Sequence, residues 1–140
     1  MMAALVVYGG MLLVFRFSAL MSAPAAPEPM LRSILLAMGA ALLAGSVAWT
    51  FTMLPSAPAE AHDATSLEAE GRRFLGRSLV ASGLAEAGGL AGCTLALLGG
   101  TLVESMGLLG ASLIVQASIL LPRGEGFWRA WEERQPPGRV

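Results

Sequence analysis

Lysine is missing from this sequence, and all nine basic residues are arginine. Charge of either sign is scarce: Asp, Glu, Lys and Arg make up 14% of the 140 residues, against roughly 25% in soluble domains. A soluble chain of this size could not cover its surface with so few polar groups. One cysteine, Cys93, lies inside an apolar run, which excludes an internal disulfide and a cysteine metal cluster. The one histidine, His62, stands in a polar stretch with no second ligand nearby, so no metal site is expected. No GxSxG, Walker, CxxC or HExxH pattern occurs, and Gly9-Gly10 and Gly88-Gly89 lie inside apolar runs rather than in phosphate loops. An enzyme acting on a soluble substrate is not expected, and neither is a cofactor. The formal net charge of −1 gives no footprint for nucleic acid.

What is present is hydrophobicity. Apolar residues form 55% of the chain, and the mean hydropathy is +0.65. A lipid environment resolves the shortage of polar surface, because the outer face can then be apolar. A membrane-crossing helix needs about 20 mostly apolar residues. Four stretches meet this, at about 2–21, 33–54, 78–98 and 102–121. The expected fold is therefore all-α: a single integral membrane domain of four transmembrane helices. The last two form one apolar block broken at Gly99-Gly100-Thr101, where adjacent glycines permit a tight turn, so they are expected as a helical hairpin.

The connections are polar or proline-rich. Residues 22–29 carry three prolines and cannot be helical throughout. A loop is expected over 55–77, with a helix beginning inside it at the capping pattern Thr65 to Glu68, supported by Glu68 and Arg72 at i,i+4. Pro122 is expected to end the fourth span. The tail, 122–140, alternates aromatic and basic residues around Trp128 and Trp131, as in a segment lying on a bilayer surface. Arg16, Arg72, Arg73, Arg77, Trp49, Trp128 and Trp131 are the expected interface anchors.

Arginines flanking the spans set orientation. With the N-terminus inside, seven arginines fall on the inner side and two, Arg16 and Arg32, on the outer side. Both termini and the 55–77 loop are thus expected in the cytoplasm of a cell with the chain in its inner membrane. Against this, no basic residue precedes the first span. That span can also be read as a cleaved signal peptide, since Ala23-Pro24-Ala25 has the small-x-small form of a cleavage site, but Arg16 interrupts the apolar run.

Glu86 is the sharpest feature for chemistry. It lies eight residues into the third span, roughly 12 Å deep in a core of about 30 Å. Placing a charge there costs about 2.5–3.5 kcal/mol on insertion scales, so an ionisable residue at that depth reads as functional by default. A group able to pass between neutral and ionised forms at mid-membrane is what proton or cation carriage requires. The competing reading is a carboxyl group that hydrogen-bonds across a helix interface or pairs with an arginine. Glu104, just past the glycine turn, is expected at the interface and solvated. Around Glu86, Gly88, Gly92 and Ala96 recur every four residues, and Ala85, Gly89 and Cys93 form a neighbouring stripe. In the second span Ala40, Ala44 and Ala48 form one stripe, and Ala41 and Gly45 another. Such stripes let helix backbones approach closely in lipid.

The segment Ser82-Gly83-Leu84-Ala85-Glu86-Ala87, followed by the glycine-rich aliphatic run 88–98, resembles the second helix of rotary ATP synthase c-type proteolipids. The resemblance covers residues 82–98 and implies a proton- or sodium-binding role for Glu86. The family's glycine-repeat first helix and polar Arg-Gln-Pro loop have no counterpart here, and a further span follows at once. Three functions remain open: an accessory or structural subunit of a membrane complex, a proteolipid-like proton or cation carrier using Glu86, and a small oligomeric transporter or channel. The partners expected are the lipid bilayer and either other membrane subunits or copies of the chain itself.

Overall fold

The computed structural model describes residues 28–58 and 64–135, and these are all-helical, without a strand. Three helices in it are long and apolar enough to cross a membrane. The expected first span, 2–21, with Arg16, lies outside the described residues, as do His62 and Arg139. The first described helix, α1, runs Pro29–Met53. Pro29 opens it at a position where a missing N–H leaves nothing unpaired. Helix α2 runs Ala64–Leu97, about 51 Å at 1.5 Å per residue. The helix expected ahead of the third span and the span itself are therefore one continuous rod. Arg72 donates to Glu68 at 2.9 Å within it, the i,i+4 pair read from the sequence.

The chain turns where the paired glycines stand. Gly99 has φ of 89°, a conformation that costs an L side chain and is open to glycine. The Gly100 N–H bonds to the Leu95 carbonyl at 2.8 Å and closes the end of α2. Helix α3, Leu102–Val115, then returns antiparallel. Thr101 and Glu104 form a reciprocal capping box at its start, each side chain reaching the other's backbone N–H at 3.3 Å.

Pro122 does not end the fourth helix. A five-residue π-turn, Gln116–Leu120, follows α3, with the Leu121 N–H bonded to the Gln116 carbonyl one residue beyond α-helical spacing. Helix α4, Leu121–Glu133, continues from it, with Pro122 at its second position. The widened turn comes directly before the proline, so Pro122 begins a new helical segment instead of interrupting an old one. The result is an uninterrupted helical run from Leu102 to Glu133.

Helix α2 is the central element, with α1 and α3 packed against it. Small residues set how closely they pack. A Cβ on Gly88 would fall 2.7 Å from Leu43 Cγ and 3.1 Å from the Gly39 carbonyl oxygen of α1. On Gly92 it would fall 2.7 Å from the Ser105 carbonyl oxygen of α3. Two serine hydroxyls exploit this proximity. Ser46 of α1 donates to the Ala81 carbonyl, and Ser112 of α3 donates to the Ala85 carbonyl, each at 2.7 Å. A helical carbonyl has a second lone pair free for such a bond.

Beyond the end of α1, α2 and α4 continue side by side around an aromatic cluster. Phe127 is fully buried and stacks on Phe74, with centroids 3.8 Å apart and rings 3° from parallel. Trp128 meets both rings edge-on. Trp131 donates to the Leu67 carbonyl at 3.3 Å, and Gly71 makes room for that indole. Burying each phenylalanine is worth about 2 kcal/mol. Gly92→Ala should lower stability by about 1–3 kcal/mol, because the added methyl meets fixed backbone. Gly83→Ala, where a Cβ meets nothing within 4 Å, should be neutral or stabilising. Thermal unfolding of both variants in mild detergent checks the contrast.

Candidate functional site

Glu86 lies on α2 next to Ala85, whose carbonyl accepts from Ser112 of α3. Glu86 is half-buried, yet its Oε1 atom is sealed from solvent and finds no hydrogen-bond partner among the described residues. Arg32, expected on the outer side, forms a forked pair with Glu104 through Nε at 2.9 and 3.1 Å and also through Nη2. Arg77 donates to the Met53 carbonyl at 3.1 Å. Both of those arginines are thus engaged elsewhere.

The small residues divide into two groups. Ala85, Gly88, Gly89 and Gly92 are buried in the contacts of α2 with its neighbours, and Ala96 is half-buried. Cys93 is buried against Leu109, with Leu113 packed on the same cluster. On α1 the outcome differs. Ala40, Ala41, Ala44 and Ala48 are exposed, and Gly45 has open space where a Cβ would stand. Among the described residues, the α2 stripes are packed against neighbouring helices and the α1 stripes are not.

The expected anchors that fall within the described residues gather at the opposite end from Arg32. Trp49 donates through Nε1 to the Arg77 carbonyl at 3.1 Å. Arg72 and Arg73 are exposed, whereas Trp128 and Trp131 are half-buried with their rings against protein.

The sequence reading missed Arg123, which proves central at this end. It donates to the Thr50 carbonyl at 2.6 Å and the Leu54 carbonyl at 3.3 Å, and its guanidinium lies 4.5 Å from the Phe51 ring centroid. Those carbonyls close α1, and a cation there also meets the negative end of the helix dipole. Arg134 holds the chain that follows α1, donating to the Pro58 carbonyl at 2.6 Å. The Glu104 pairing was missed as well. Its signal was available, since Thr101-x-x-Glu104 repeats the pattern recognised at Thr65 to Glu68, and Arg32 opens a helix on the same end of the bundle.

The site region holds a second buried polar group that the sequence did not single out. Gln116, at the start of the π-turn, is 4% exposed, and its Nε2 finds no hydrogen-bond partner among the described residues. The chain matches no known family model, no curated protein and no solved structure.

Arg123→Met keeps the aliphatic stem but removes the charged donor from the Thr50 and Leu54 carbonyls, of which Thr50 keeps only its bond from the Leu54 N–H. It should lower stability by about 1.5–3 kcal/mol, the range for hydrogen bonds to charged groups, and speed proteolysis near 55–58. Glu104→Gln keeps one amide oxygen to accept in the capping box but loses the charge and the second acceptor of the Arg32 pair. Its thermal midpoint should fall below the parent's at low salt, with the gap narrowing at high salt.

Proposed function

We propose that this chain is a multi-pass integral membrane protein, with the 2–21 stretch as a fourth span, serving as an accessory or structural subunit of a larger membrane complex. The observation that carries this is the face α1 turns outward. Ala40, Ala44 and Ala48 form a smooth exposed stripe, bordered by exposed Ile34, Met38 and Phe51. In lipid, a small-residue face is where another helix packs closely, because association there depends on close contact rather than on escape from water.

Membrane integration is supported by how polarity is distributed. Leu79, Leu90 and Ile114 are exposed between the two ends of the bundle. Ionisable side chains other than Glu86 gather toward its two ends. At one end stand Arg72, Arg73, Arg77, Arg123, Arg129 and Arg134, and at the other Arg32. That asymmetry favours an orientation with the arginine-rich end in the cytoplasm of an inner-membrane protein. Helices α2 and α4 extend past α1 on that side, and their aromatic cluster would stand at or beyond the bilayer surface.

A second reading is an ion carrier of the proteolipid kind. Glu86 favours it: an intramembrane carboxyl group without an arginine partner among the described residues, on a helix segment resembling the c-type proteolipids. A small oligomeric transporter is the related variant. The mass and subunit composition of the gently solubilised native particle separates them. Recovery with several different large subunits is the expected result. Recovery as a ring of identical chains would replace it with ion carriage, and Glu86→Gln would then abolish transport.

A further inference from the structure

Two buried polar atoms lack partners among the described residues: the Glu86 carboxyl oxygen Oε1 and the Gln116 amide nitrogen Nε2. They lie on different helical segments, 30 positions apart in sequence. The packing register brings these positions to one level. Cys93 of α2 packs on Leu109 of α3, and the two helices run antiparallel. Glu86 lies seven residues before Cys93, and Gln116 lies seven residues after Leu109. Seven residues are two helical turns, so each returns to the face of its reference residue. Ser112, one turn before Gln116, donates to the carbonyl of Ala85, the residue before Glu86, which keeps the two positions within about a turn of each other. The π-turn that begins at Gln116 also packs on α2.

The unmatched atoms are of opposite kinds. Gln116 Nε2 can only donate, whereas a carboxylate oxygen accepts. They make no direct bond, so a bridging group must accept from one and donate to the other. A bare cation satisfies the oxygen and leaves the amide unmatched. A side chain from outside cannot reach Gln116, which is 4% exposed. A water molecule has both functions and is small enough. Buried waters occupy sites of this kind, between polar groups that the protein leaves unsatisfied. We infer that Glu86 and Gln116 form one polar site between α2 and the π-turn, and that its ligand is a single bound water. The π-turn gives Gln116 its place, and the water gives Glu86 a hydrogen-bond partner at mid-bundle. This holds for either function proposed above.

The chain has two glutamines, Gln116 and Gln135. Glutamine-selective 15N labelling of the full chain in phosphatidylcholine nanodiscs therefore yields two side-chain amide signals, assigned with Gln116→Met. The expected result is a water cross-peak on the Gln116 amide. A Gln116 amide without water contact overturns the inference. Thermal midpoints supply an independent arm. Glu86→Leu and Gln116→Met should each lower the midpoint, and the double variant should recover most of either loss, because removing both partners also removes the need for the water. Additive losses, or a midpoint raised by Gln116→Met alone, would show two unrelated orphan groups and overturn it.

Discussion

The whole bundle depends on how closely α1 and α3 approach α2. In the lipid environment proposed above, helices gain nothing by hiding apolar surface, and stability would then come from contact distance and from hydrogen bonds made across it. Gly88 and Gly92 allow backbone to approach backbone, and only at that distance can Ser46 and Ser112 reach carbonyls of the neighbouring helix. Both serines bond to α2, one turn apart, from opposite partners. A larger residue at either glycine would separate the helices and break a hydrogen bond that lies turns away from it.

This arrangement explains why α2 is continuous and central while the returning run from Leu102 to Glu133 is segmented. Contacts with both partners are spread along its length, and its start packs into the aromatic cluster with α4. Helix α3 has to turn toward α2 along its first half, and α4 has to bring Phe127 onto Phe74 along the second. The π-turn rotates the face between these two tasks, and Pro122 accepts the new register because it needs no donor there.

The elements most legible in the sequence were those written in local spacing. The glycine break before α3, the i,i+4 pair at Glu68 and Arg72, and the small-residue stripes of α2 each depend on residues within a turn or two of one another. What escaped was non-local. Arg32 and Glu104 are 72 positions apart, and Arg123 reaches carbonyls of α1 from 73 and 69 positions away. Pro122 misled for a different reason. Its local meaning, a helix stop, holds only if the preceding turn is α-helical, and tertiary packing made that turn wider. Glu86 stood out in the sequence as a carboxyl inside an apolar run, but Gln116 did not, because a lone glutamine in such a run carries no sign of what it faces. The α1 stripes show the limit of pattern reading, since identical spacing is buried on one helix and exposed on another.

The arginines that close α1 also impose an order on assembly. Thr50 and Leu54 are synthesised long before Arg123, and Pro58 long before Arg134. As the chain emerges, α1 and α2 can pair along their small residues and Arg77 can take the Met53 carbonyl, but the Leu54 carbonyl must remain hydrated until the last helix arrives. The α1–α2 hairpin is therefore held open at one end during biogenesis, and the closing contact is made by the last described segment to be made. A truncation within α4 would leave the helices paired along their length but unsealed at that end, which a quality-control protease could recognise.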